Sequence, residues 1–393
     1  MFLTTALVRA HAITVTINYD FDESKFFSTG NPNGAVAAAQ AKAALEAAAG
    51  FYTTILTDTF SAIQKPADFH SVQFDGEASW DWKANFPNPA TGVLKSVDNP
   101  TIAADEYRIY AGARGLSGST LGIGGSGGLF LDPKASGGFS QAEINQYNQI
   151  DASFTDAVVN RGESSGFARW GGAITFDSDG STTWHYNHTT APTVMTNDFY
   201  SVAIHELGHA LGLGASEEWQ GFSSGANAFF TGPSATSLYG GNPPLNPSRS
   251  HWAANTMSQV LSTSTAQEAA LDPDITTGTR KHLTKLDAVA LTDIGWTVDA
   301  PPPPTYNVAD FNEDTFVNGA DLTMWKGAFG LNANGDADGD NDSDGRDFLI
   351  WQRNFGATSS LPAGNGAFAA VPEPSAALAA IISAAAFIAF RRR

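Results

Sequence analysis

Residues 205–209 read H-E-L-G-H, two histidines four positions apart with a glutamate directly after the first. On a helix, side chains at i and i+4 stand one above the other, so both imidazoles can reach one ion while Glu206 points beside it. Imidazoles in that arrangement hold zinc, and a carboxylate next to them can take a proton from water. A catalytic zinc needs a third protein ligand, and motifs of this type usually continue with a histidine six residues after the second. Here that position is Ala215, and the candidates for the missing ligand are His251, Glu217, Glu218 and His282. His185 and His188, in W-H-Y-N-H, precede the motif; they could bind a structural ion or line a cleft, or be plain surface histidines.

The elements that must carry these residues follow from local pattern. Asn197 or Asp198 is a natural N-cap before F-Y-S-V-A-I, and Gly212 suits a left-handed helix end just after the second histidine. I-T-V-T-I at 13–17 alternates as a strand, and the Ala-rich, Pro-free run Ala35–Ile63 predicts a long helix. Tyr107–Ala111 and Ala173–Phe176 read as further strands. The result is an α+β fold, a mixed sheet backed by helices. Gly122–Gly127 fits G-x-G-x-x-G but stands in a Gly/Ser run with no helix after it, which predicts a surface loop rather than a phosphate site.

Composition narrows the function. The chain has 393 residues, 42% of them hydrophobic, a net charge of −19 and no cysteine. Such acidity disfavours nucleic acid as a partner, and the missing thiols remove disulfides and thiolate ligands. Pro301–Pro304 predicts an extended spacer (300–305) between a module at 13–299 and a small one at 306–356.

The small module is duplicated. Asp310, Asn312, Asp314, Asn318 and Asp321 recur at a constant offset as Asp336, Asp338, Asp340, Asp344 and Asp347. Oxygen side chains at loop positions 1, 3, 5, 9 and 12, with the carbonyls of Phe316 and Asp342 at position 7, make two EF-hand-like cages for Ca2+. Each loop runs into an apolar segment ending at Trp325 or Trp351, predicting short helices and a small all-α unit whose folding draws on calcium. The duplication resembles type I dockerin, which implies a cohesin-like partner. Gly319–Ala320 and Gly345–Arg346 depart from the Ser/Thr usual at the contact positions, and a calcium-stiffened spacer is the other reading.

The two ends look like addresses. Met1–Ala12 reads as a truncated export signal, or as the approach to the first strand. After a linker at 357–370, residues 371–393 hold V-P-E-P-S, an apolar helix-forming stretch Ala376–Phe390 and three arginines. That tripartite tail resembles the PEP-CTERM sorting signal, which implies export, an exosortase-type processing enzyme and residence at the cell envelope; a plain tail anchor is the alternative.

The run D-F-Y-S-V-A-I-H-E-L-G-H-A-L-G-L at 198–213 resembles the zinc helix of metzincin endopeptidases, matrixins in particular. W-G-G-A-I-T-F-D at 170–177 is similar to the upstream edge strand that pairs with extended substrate, which implies Gly172, Ala173 and Ile174 as substrate-binding. L-T-K-L-D-A-V-A-L-T-D-I-G-W at 283–296 resembles the closing helix. His251, in S-H-W-A-A-N-T-M-S, resembles the displaced third histidine of the leishmanolysin branch. This implies Zn2+ on His205, His209 and His251, Met257 as the Met-turn residue beneath the metal, and Glu206 as general base in peptide-bond hydrolysis. The alternative is a catalytically impaired, surface-displayed binding or scaffold protein that assembles through the dockerin-like module.

Overall fold

The computed structural model describes residues 13–163, 167, 170–224, 228–299, 307–312, 316–338 and 342–358. The export segment 1–12, the spacer 300–305, the sorting segment 371–393 with its apolar helix, the linker from residue 359 on, Asp314 and Asp340 lie outside the described residues. Among the described residues, no helix is long and apolar enough to cross a membrane.

Strand β1 (Thr14–Asn18) leads to helix α1 (Gly34–Ile55). Alanine gives up no side-chain entropy in a helix, and Ala37, Ala41, Ala44, Ala48, Tyr52 and Ile55 form a buried stripe at three- and four-residue spacing. The helix stops at Ile55 rather than at the expected Ile63. Beyond it Leu56 bridges Val298, Ile63 bridges Ile102, and the Asp58 carboxylate accepts the Thr297 N–H at 3.0 Å. These pairings override local propensity in a stretch interrupted by threonines, whose β-branching weakens the helix.

Strands β2 (Glu77–Pro87) and β3 (Leu94–Asp98) begin one sheet, β4 (Glu106–Arg114) and β5 (Gly122–Ser126) belong to another, and β6 (Gly128–Ser136) returns to pair with β2. Along β2, Ala78, Trp80, Trp82, Ala84 and Phe86 alternate inward. Helix α2 (Gln141–Val159) covers them, Tyr147 stacking on Trp80 with ring centroids 5.4 Å apart. Strand β7 (Gly171–Asp177) completes the main sheet, in the order β1-β4-β7-β5. The first three strands run parallel and β5 is antiparallel.

Two expectations change here. The segment 170–177 is not an edge strand: β7 is buried along its whole length and hydrogen-bonded on both sides, to β4 and to β5. Gly172, Ala173 and Ile174 therefore have no free backbone direction for a substrate. The edge is β5, the glycine run expected as a surface loop.

Helix α3 (Phe199–Ala210) carries the H-E-L-G-H motif, followed by the short helices α4 (Glu217–Phe222) and α5 (Pro233–Tyr239). A two-stranded ribbon of β8 (Met257–Gln259) and β9 (Ala266–Glu268) and helix α6 (Lys285–Asp293) end the larger part of the fold. Helices α7 (Gly319–Ala328) and α8 (Gly345–Asn354) follow, and their tryptophans pair reciprocally with the opposite repeat. Trp325 Nε1–H donates to the Asp344 carbonyl at 2.9 Å, and Trp351 Nε1–H to the Asn318 carbonyl at 3.0 Å. Mixed helices and open sheets accord with the α+β expectation.

Candidate metal centre

Helix α3 is fixed before any ligand is considered. Asp198, not Asn197, is its N-cap: the carboxylate accepts the Ser201 N–H at 3.0 Å and Oγ–H at 2.7 Å, and is fully buried against Arg280 at 2.7 Å. Tyr52 of α1 donates to the Ile204 carbonyl at 2.8 Å, Tyr107 of β4 to Ala210 at 2.7 Å, and Trp296 Nε1–H to Leu211 at 2.8 Å. Gly212 ends the helix in the left-handed region at φ 103°, as the sequence predicts.

The chain then leaves through α4 and α5 and returns at His251. Trp219 and Trp252 meet at 5.1 Å between ring centroids, Trp219 Nε1–H donates to the Arg249 carbonyl at 2.8 Å, and the Trp252 N–H to Leu271 at 3.0 Å. Anchored so, His251 Nε2 lies 3.1 Å from His205 Nε2 and 3.0 Å from His209 Nε2, which are themselves 3.1 Å apart. This near-equilateral triangle approaches the ~3.3 Å spacing of nitrogens held at ~2.0–2.1 Å around one tetrahedral ion.

The far side of each ring is engaged as a metal ligand requires. His205 Nδ1 meets the Ala270 carbonyl at 2.7 Å and His209 Nδ1 the Leu213 carbonyl at 2.8 Å, which fixes the proton there and leaves Nε2 its lone pair. His251 Nδ1 lies 2.9 Å from Ser250 Oγ. Burial, reinforced by the neighbouring imidazoles, holds His205 well below the ordinary histidine range; burial alone lowers His209, and burial with His209 brings His251 to about 4. All three are neutral donors near neutrality. The residues thus fit zinc by number, element and geometry.

Glu206 shares the cleft with the triad, a cavity of about 720 Å³ walled by Gly118–Gly124 on one side and Pro273–Ile275 on the other. Burial pushes its carboxyl up to about 8, opposed by a hydrogen bond from the Gly124 N–H. A dication nearby favours the charged form.

The other candidates sit elsewhere. Glu217 and Glu218 occupy the first turn of α4, His282 lies beside Tyr200, and His185 Nε2 is engaged by the carbonyls of Asn187 and Thr190. His188 stacks on Tyr200. Met257, expected beneath the metal, is 51% exposed on the ribbon. Leu271 packs against α3, its Cδ2 3.0 Å from where a Cβ on Gly208 would stand.

Three contributors escaped sequence reasoning. Asp287 of α6, fully buried, accepts from Trp252 Nε1–H and the Ala270 N–H, each at 2.8 Å, and so ties the segments that hold His251 and His205. Its signal was the capping box with Thr284. Leu271 carried no local signal of its own, and that of Gly124 was its alternation with Gly122.

In the small module, Asp336, Asp338 and Asp347 bring carboxylate oxygens within 4.8 Å of one another, as do Asp342, Asp344 and Asp347. Asp310 and Asp321 are buried, and Asp321 accepts the N–H groups of Asn312 and Asn318 as Asp347 does those of Asp338 and Asp344.

Among known proteins, no curated sequence and no solved structure matches the chain. Residues 139–222 match the Matrixin peptidase family, a span from the start of α2 through α3 to α4 that ends before His251. That match, together with the converging histidines, supports a metzincin-like fold and a metalloprotease.

Proposed function

We propose that the chain is a zinc-dependent endopeptidase, with His205, His209 and His251 as the zinc ligands. The observation that carries this reading is the convergence of three Nε2 atoms from α3 and a distant loop, beside a buried Glu206 in an open cleft. When bound, zinc supplies the Lewis acidity that acidifies water and polarises a peptide carbonyl. Glu206 takes the proton of the attacking water and delivers it to the leaving amine, so the C–N bond breaks with no net change in the enzyme.

Strand β5 takes over the substrate-pairing role first expected of β7. The Asp177 N–H donates to the Leu121 carbonyl at 2.9 Å and the Gly127 N–H to Gly171 at 2.7 Å, so odd-numbered residues face β7. By alternation Gly122, Gly124 and Ser126 turn their N–H and C=O groups to the open edge. An extended peptide adds a strand there, with main-chain hydrogen bonds and weak sequence demands.

The acidic clusters of the 336–347 loop support calcium as a second, structural cofactor there, and the matching spacing at 310–321 extends the reading to a second ion. We further read the chain as exported and sorted to the cell envelope through its C-terminal segment by an exosortase-type enzyme, with a cohesin-like partner for the small module. A non-catalytic scaffold is the competing reading. Casein hydrolysis by wild type and Glu206→Gln, each with zinc content measured, separates them. The proposal expects stoichiometric zinc in both and a loss of several orders of magnitude in the variant; near-wild-type activity in Glu206→Gln overturns it.

A further inference from the structure

The glycines of β5 have a use that their poor strand propensity does not suggest. A Cβ on Gly122 would stand 2.6 Å from Glu206 Oε1 and 2.7 Å from its Cγ, and a Cβ on Gly124 would collide with the Glu206 backbone. Both distances are closer than real Cβ contacts tolerate, and α3 has no room to retreat, because Tyr52, Tyr107 and Trp296 hold its carbonyls. On the same strand Gly125, of opposite orientation, would meet nothing within 4 Å. Bare glycine is therefore needed only on the face turned to the glutamate.

We propose that Gly122 and Gly124 are positioning residues for the general base: their missing side chains form the seat of Glu206, Gly122 against its side chain and Gly124 against its backbone. The assignment rests on the role given above to Glu206. It makes β5 serve two purposes at one place, since the strand that seats the glutamate is also the edge that receives the peptide. A methyl at Gly122 displaces the carboxylate and leaves the three imidazoles alone. Proton transfer depends on placement to within about 1 Å, and a misplacement of that size costs ~10²-fold.

The test uses the full chain loaded with zinc. Gly122→Ala should keep one zinc and the wild-type d–d spectrum after cobalt substitution, while kcat falls ~10²-fold and KM shifts by less than about threefold. Gly125→Ala should match wild type. Equal losses in both variants, or a kcat loss matched by KM, would make the strand rather than the glutamate's seat the cause and overturn the proposal. Glu206→Asp provides a second route, because a shorter carboxylate no longer meets the added methyl. The penalty of Gly122→Ala should largely vanish in that background, and an additive double mutant rejects the assignment. Full activity in Gly122→Ala with an inactive Glu206→Gln sinks this inference alone, whereas an active Glu206→Gln removes the reading beneath it.

Discussion

The indole of Trp252 donates to Asp287 Oδ1 at 2.8 Å, which ties the residue following the third histidine to helix α6. The other carboxylate oxygen accepts the Ala270 N–H at 2.8 Å and the Thr284 hydroxyl at 2.6 Å, and the Ala270 carbonyl in turn meets His205. One buried carboxylate thus orients two of three ligands from behind. Asp287→Ala should strand several buried donors, lowering stability by roughly 2–4 kcal/mol in urea unfolding. Zinc affinity should drop 10–100-fold in chelator competition, in line with losses of metal-orienting partners. An unchanged affinity would relieve Asp287 of that role.

The third ligand is testable by metal content. His251→Ala removes one corner of the Nε2 triangle and should leave less than stoichiometric zinc and no proteolysis. His282→Ala should retain zinc, since that ring lies beside Tyr200. The reverse pattern would reassign the site.

His282 predicts a pH effect of its own. Burial, then the Arg280 cation, depresses its pKa to about 4. An unfolded histidine takes its proton near about 6.5, so below that pH the unfolded state binds more protons and folding weakens as pH falls towards 4. The slope for one such group is at most ~1.4 kcal/mol per pH unit. His282→Gln, which does not titrate, should flatten urea-unfolding stability between about pH 6.5 and about pH 4.5 at saturating zinc; identical slopes would exonerate His282.

Calcium should order the small module. Asp347 belongs to both acidic groups and is fully buried, so unscreened repulsion loosens the loop when no cation is present. Titration should shift the fluorescence of Trp325 and Trp351 and raise helical circular dichroism. Asp347→Ala should weaken calcium at that loop more than tenfold, and a spectrum indifferent to calcium in wild type would refute the cage.

What the sequence disclosed depended on whether the signal was local. The H-E-L-G-H face and the Gly212 ending are local patterns, and each stands where it was expected. The end of α1 was misjudged because Leu56 and Ile63 answer to partners at Val298 and Ile102. The edge was misassigned because a strand's place in the sheet is set by distant partners, and β7 lies between β4 and β5. The run Ala-Ile-Thr-Phe at 173–176 is more consistent with an interior strand, and alternating glycines at 122 and 124 mark a close backbone approach, a sign that was present and passed over. Met257 drew attention by residue type but stands exposed on the ribbon, while Leu271, whose N–H donates to Asp287, packs against α3.

The excursion between α3 and His251 also bears on how long the protein lasts. With metal bound, His209 and His251, 42 residues apart in sequence, close a ring of chain in a protein without cysteine. Closing a ring of that size removes roughly 4 kcal/mol of unfolded-state entropy. Metal loss opens the ring in the same event that ends catalysis, and the segment bearing Trp219 and Phe230 then rests on its packing and hydrogen bonds. Limited digestion by a metal-independent protease in chelator should cut first between α4 and His251, so that local zinc supply sets the enzyme's turnover as well as its rate.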